Sequence, residues 1–149
     1  MRPKIERWLF LLLMFQSGLA QSKPPSLGTL TINLTNFRNN KGHAGLTLFK
    51  GEEGFPKSPE KAVRALYVPI ANNKAVVVFD NLPEGEYAIS VYHDENDNKK
   101  MDTNFFGIPK EGVGASNNAR GHLGPPKYSD ARFVFRVNQQ TISIQIIYL

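Results

Sequence analysis

The sequence predicts an all-β fold, a seven-stranded antiparallel sandwich interrupted by one long irregular loop. Three observations carry this expectation. Apolar residues recur with period two in seven short segments, the mark of strands buried on one face. Clusters of Asn, Gly and Pro separate those segments. After the N-terminal apolar run, no segment shows a helical period.

In chain order, Leu30, Ile32 and Leu34 alternate with Thr31, Asn33 and Thr35. The turn Asn39-Asn40-Lys41-Gly42 leads to Ala44, Leu46 and Leu48. Residues 51 to 60 are polar, carry two prolines and read as a loop. Leu66, Val68 and Ile70 form a third strand, and Ala75, Val77 and Phe79 a fourth, across Ala71-Asn72-Asn73-Lys74. The turn Asn81-Leu82-Pro83-Glu84-Gly85 launches the clearest strand, in which Tyr87, Ile89 and Val91 alternate with Ala88, Ser90 and Tyr92. Phe133, Phe135 and Val137 are expected to form a hairpin with Ile142, Ile144 and Ile146 across Asn138-Gln139-Gln140-Thr141. Seven such strands in so short a chain predict a sandwich of immunoglobulin-like or prealbumin-like type.

The organisation is that of an exported single domain. Arg2, Lys4 and Arg7 precede the apolar run Leu9 to Phe15, and small residues follow at Gly18 and Ala20. Residues 1–20 therefore read as a signal peptide, too short in its apolar part to span a bilayer. Residues 21–26 read as a Pro-rich linker and 27–149 as the β-sandwich domain. The expected location is periplasmic or secreted, with no membrane span after signal cleavage. Removal of the first twenty residues lowers the formal charge from +5 to +3. The remaining excess is dispersed, so composition supports neither nucleic-acid nor membrane-surface binding. The chain has no cysteine, so its stability is expected to rest on a packed core, with a bound ion the one further aid open to it.

Between Asp94 and Ser129 the strand rhythm stops. Loops of this length in compact domains are functional or disordered. Phe105, Phe106, Ile108, Leu123 and Tyr128 give this one apolar surface to bury, so an ordered excursion is expected. Its opening, His93 to Asn104, places oxygen-bearing side chains at Asp94, Asn96, Asn98 and Asp102, relative positions one, three, five and nine. A turning loop directs alternate side chains at one centre, a pattern that suits Ca²⁺, with Glu111 as a more distant ligand. A helix–loop–helix calcium site is excluded, because Lys99 stands where Gly is expected and Phe105 where a bidentate Glu belongs. The competing reading is a solvated loop in which Asn and Asp cap backbone groups without an ion.

His93 shares the phase of Tyr87, Ile89 and Val91 and is expected at the core edge, bonded to backbone or acting as a metal ligand or base. His43 and His122 are the other histidines, and no spacing joins the three into a zinc site. No Cys or Gly-x-Ser-x-Gly nucleophile is present. Tyr92, Phe105, Phe106 and Tyr128 are candidates for carbohydrate contact, although core packing is the commoner role of such aromatics.

Phe79-Asp80-Asn81-Leu82-Pro83-Glu84-Gly85-Glu86-Tyr87-Ala88-Ile89 looks like the strand–turn–strand of prealbumin-like and carboxypeptidase-regulatory-like modules. Together with His93-Asp94-Glu95-Asn96-Asp97-Asn98, Met101-Asp102-Thr103-Asn104, Gly107-Ile108-Pro109-Lys110-Glu111-Gly112 and Ser116-Asn117-Asn118-Ala119, it resembles the domain of unknown function 2141 family. The resemblance covers roughly Leu27 to Leu149 and implies an exported bacterial sandwich without an assigned activity. The wider fold group includes hydroxyisourate hydrolase, whose C-terminal Tyr-Arg-Gly-Ser is absent from Ile146-Ile147-Tyr148-Leu149. Two functions are thus expected in order. The first is a non-enzymatic binding or accessory module for a protein or carbohydrate partner, with an Asn/Asp loop that is either a Ca²⁺ site or an ion-free run of Asx turns. The alternative is a small metal-dependent hydrolase centred on His93, with Asp94, Glu111 or His122 around the cation.

Overall fold

The computed structural model describes residues 25–137 and 139–149. The expected signal peptide and residues 21–24 of the expected linker lie outside the described residues. Among the described residues there are eight strands, β1 (Leu27–Thr35), β2 (His43–Phe49), β3 (Arg64–Pro69), β4 (Ala75–Pro83), β5 (Gly85–Asp94), β6 (Val113–Ala115), β7 (Phe133–Phe135) and β8 (Gln139–Gln145). A short α-helix, α1 (Tyr128–Ala131), stands before β7, and a 3-10 turn at Pro59–Lys61 precedes β3.

The strands form two sheets, ordered β4-β1-β8 and β3-β2-β5-β6. Strand β7 also pairs with β5, along Gly85 to Tyr87, while β6 takes Ser90 to Tyr92. The inward residues of both sheets meet in one core of Leu30, Ile32, Leu34, Leu46, Leu48, Val77, Phe79, Tyr87, Ile89, Phe135 and Ile144 among others. The period-two reading therefore assigned the correct inward faces to β1, β2, β4 and β5. The fold is a two-sheet sandwich, as the alternation implied.

Three local expectations are corrected. The C-terminal hairpin does not form, because β7 pairs with β5 while β8 runs parallel to β1, from Thr29↔Gln139 to Thr35↔Gln145. Alternation shows which face of a strand is buried but not which strand lies beside it. With β4 on one edge of β1, the other edge offers buried N–H and C=O groups that need partners, and β8 supplies them. The second correction is at β3, an edge strand in which Leu66 is 38% exposed rather than inward. The third lies in the long excursion, which contains β6, a 3-10 turn at Ser116–Asn118 and α1.

Ser116 joins these parts. Its buried Oγ accepts the Ile89 N–H at 2.9 Å and donates to the Ala131 carbonyl at 2.5 Å. It therefore satisfies β5 in the gap where the partner changes from β7 to β6. On the outer face of β5, Ala88, Ala115, Tyr128 and Ala131 make a second small core with Phe55 beside it. The Tyr128 hydroxyl accepts the Gly51 N–H, which ties the excursion to the 51–57 loop.

Candidate functional site

The loop from Asp94 to Gly112 grows out of the end of β5 and returns to β6. His93 N–H donates to the Gly112 carbonyl at 2.8 Å and closes its base. Two buried carboxylates hold it from within. Asp94 accepts the N–H groups of Asn98 (3.1 Å) and Lys99 (2.6 Å), together with the Tyr67 hydroxyl from β3. Glu111 accepts the N–H groups of Glu95 (2.9 Å) and Asp102 (3.0 Å). Each carboxylate thereby replaces water for donors that the irregular backbone leaves unpaired.

Asn96, Asn98 and Asp102 gather above this base. The amide nitrogens of Asn96 and Asn98 lie 2.7 and 3.0 Å from the two carboxylate oxygens of Asp102. Their amide oxygens accept the N–H groups of Asn98 and Lys100, two residues ahead in each case, which are Asx turns. Asp97 and Lys99 take left-handed backbone, at φ 59° and 60°. All five expected ligands, Asp94, Asn96, Asn98, Asp102 and Glu111, thus lie in one hydrogen-bonded segment. Among the described residues, no group of three or more carboxylates and histidines is arranged to hold a metal ion.

Residues distant in sequence brace the loop from outside. Arg38 pairs with Glu95, and Asn39 donates to the same carboxylate at 2.9 Å. Burial pushes the Glu95 carboxyl up, but the bonds from Arg38 and Asn39 outweigh it and hold the group below its ordinary range. Asp97 lies 2.5 Å from His43 Nδ1 and accepts the Tyr67 hydroxyl at 3.1 Å. The bond from His43 is the main reason the Asp97 carboxyl is held low. Burial and then the two aspartates push the Tyr67 phenol well above its ordinary value. Tyr67 also stacks on His43, with ring centroids 4.6 Å apart.

His93 is wholly buried at the foot of the loop. Its Nε2 lies 2.8 Å from the Lys41 carbonyl, which accepts only, so Nε2 carries the proton. In the neutral ring Nδ1 then accepts the Tyr148 hydroxyl, also at 2.8 Å. The Tyr148 oxygen in turn accepts the Arg38 N–H at 2.9 Å, and Phe37 packs edge-on against the imidazole. Both ring nitrogens are engaged within the protein. His122, in contrast, is exposed on the 120–127 loop.

Beyond Asp102 the loop narrows to a tip. Thr103 bridges to Pro109, Asn104 N–H donates to Ile108 O, and Gly107 N–H donates to Asn104 O. Asn104 Oδ1 accepts the N–H groups of Phe106 and Ile108 at 2.9 and 3.0 Å. Phe105 and Phe106 stand outside this scaffold, 96% and 82% exposed. That overturns the expectation that these aromatics pack inward, and only Tyr128 of the long excursion's aromatics does so.

A family model described as "Uncharacterized protein conserved in bacteria (DUF2141)" matches residues 32–143. The chain belongs to the DUF2141 family. The match runs from inside β1 to inside β8 and so contains the entire Asp94–Gly112 loop. No curated protein matches this DUF2141 chain. Among solved structures, a pilus-presented adhesin, Cpa, is similar with 14% identity and a TM-score of 0.28. That alignment covers 82% of the DUF2141 chain and 27% of the adhesin chain, so the chain spans about a quarter of the adhesin. A cysteine-to-alanine mutant of the same adhesin gives 14% identity and a TM-score of 0.26, with the same coverage.

Proposed function

We propose that this DUF2141 chain is an exported, non-enzymatic binding module whose presenting surface is the Asp94–Gly112 loop. The observation that carries the reading is the exposure of Phe105 and Phe106 on a tip whose backbone is tied down by its own hydrogen bonds. Large apolar side chains held outward by an ordered scaffold mark an interaction surface. Export, to the periplasm or the medium, is supported by the charged start, apolar run and small residues of positions 1–20. Of the partner classes read from the sequence, carbohydrate has the weaker support. The two Phe rings meet edge to face, at 85°, and offer no flat platform for a sugar ring.

The hydrolase alternative has less behind it. An active site needs a concave pocket with convergent titratable groups. His93 has no free nitrogen or exposed face. The concavity of about 380 Å³ near Arg120, His122, Lys127 and Asp130 is lined wholly by exposed residues.

A photo-reactive side chain at position 105 of the exported protein tests the module reading in living cells. Adducts are expected at that position and not at Val134, an exposed apolar residue on β7. Equal labelling at the two positions would contradict a dedicated surface.

Ca²⁺ on the loop is a second reading, favoured by one observation. Lys99, at the position where a calcium loop carries Gly, adopts the left-handed backbone that Gly would adopt. Binding there would require the Asn96 and Asn98 amides to turn their oxygens toward Asp102. Millimolar Ca²⁺ would then raise the melting temperature, with Mg²⁺ doing less. Coincident melting curves in EDTA and Ca²⁺ would discard the ion.

A further inference from the structure

We propose that the open edge of β4 pairs with β4 of a second copy of this chain, antiparallel about a two-fold axis at Val77. The contact is separate from the Asp94–Gly112 loop and goes beyond the module reading. β4 ends the three-stranded sheet, with β1 on one side only. Lys74, just before β4, exchanges both its backbone groups with Ala71, at 3.0 and 2.9 Å, and so turns them away from β1. The Asn73 carbonyl points the other way and accepts the Phe37 N–H. Backbone groups of successive strand residues alternate in direction, so Val76, Val78 and Asp80 share the direction of Lys74. Arg64 shows the same phase, since it reaches the Asp80 carbonyl from β3 at 2.6 Å. Ala71 and Arg64 thus close the two ends of the edge. Between them Val76 and Val78 face no paired strand among the described residues.

Other sheet edges are defended. β3 carries Arg64 and Pro69 at its ends, and at β8 the Gln145 N–H is taken by Asn118 Oδ1 at 2.8 Å. From Ala75 to Phe79, β4 has no charge, proline or bulge, the devices that keep an edge from pairing.

The charges at the two ends of that stretch select the occupant. In an antiparallel pair centred on Val77, Lys74 lies opposite Asp80 of the second copy and Val76 opposite its Val78. Symmetry repeats both pairs. Val76 and Val78 then exchange N–H and C=O bonds with their opposites, along the stretch that is open. All four residues are exposed, the two valines by 59% and 45%, and they share one phase of the strand. Each pair therefore meets side by side on one face of the joined sheet. Thr29, beside Asp80 on β1, donates its hydroxyl to the carboxylate at 3.0 Å and holds it on this face. Parallel pairing in register would set Lys74 against Lys74 and Asp80 against Asp80. A slip of two residues would lose both contacts between Lys74 and Asp80.

Sedimentation equilibrium of the processed protein over a concentration series is expected to show a monomer–dimer equilibrium. Lys74→Asp and Asp80→Lys each set like charges against one another at both ends of the pair. Either variant alone is expected to weaken the dimer about tenfold or more. An equimolar mixture of the two variants brings opposite charges together again and is expected to dimerise as the wild type does. The chain carrying both changes is expected to do the same. Both positions are exposed, and an unchanged circular dichroism spectrum verifies the fold of each variant. A wild type that stays monomeric throughout would overturn the proposal and leave the edge to a strand of another protein. Single variants that dimerise as well as the wild type, or a mixture no more dimeric than its components, would overturn it by placing the contact elsewhere.

Discussion

Gly42→Ala is expected to destabilise the protein by about 3–5 kcal/mol, measured as a lower urea midpoint with unchanged slope. Gly42 sits at φ 63°, and an added Cβ would lie 1.8 Å from the backbone oxygen of Asp94. No rotamer relieves a clash between a Cβ and a carbonyl. The turn before β2 would have to separate from the end of β5, which breaks the bond between His93 and the Lys41 carbonyl. Gly107 provides the control. Its φ is 76°, but nothing lies within 4 Å of the added Cβ, so Gly107→Ala should cost only about 1–2 kcal/mol of left-handed strain. Equal losses for the two would show that the Gly42 contact relaxes freely and that the turn is not clamped to the loop.

Ile89→Ala is expected to cost about 2–5 kcal/mol, the range of buried large-to-small changes. Ile89 is fully buried, faces Leu48 across the β2–β5 ladder, and belongs to the main core. Its N–H stays bonded to Ser116, so the variant reports the side chain and not a lost backbone bond. A loss below about half a kcal/mol would place Ile89 on the wrong face of β5.

The inward faces of the strands were legible because burial on one side imposes period two on residues such as Tyr87, Ile89 and Val91. That phase also placed His93 correctly at the buried end of β5. Strand partners were not legible. The parallel β1–β8 pair joins residues more than a hundred positions apart, and no turn signal announces such a pairing. Strand β6 has no sequence signature, because Val113-Gly114-Ala115 is too short to show a period.

At the site, the Asn/Asp turns could be read locally, since each Asx bond spans two residues. The braces could not. Tyr67 reaches Asp94 from β3, Arg38 reaches Glu95 from the turn after β1, and Tyr148 reaches His93 from the C-terminus. The sequence offers Glu111 as a distant oxygen donor to an ion; in the structure its oxygens accept two backbone N–H groups. A carboxylate that collects backbone donors and one that waits for a cation look the same in sequence.

Amide hydrogen exchange separates the two. In EDTA, the N–H groups of Glu95, Asn98, Lys99 and Asp102 are expected to exchange well below unprotected rates, because Asp94 and Glu111 hold them. Glu111→Gln, which turns one acceptor oxygen into an NH₂ donor, should release one of the Glu95 and Asp102 amides, and Glu111→Ala both, while the β2–β5 ladder stays protected. Unprotected exchange at all four amides in EDTA, with protection only in Ca²⁺, would make the ion, not the two carboxylates, what orders the loop.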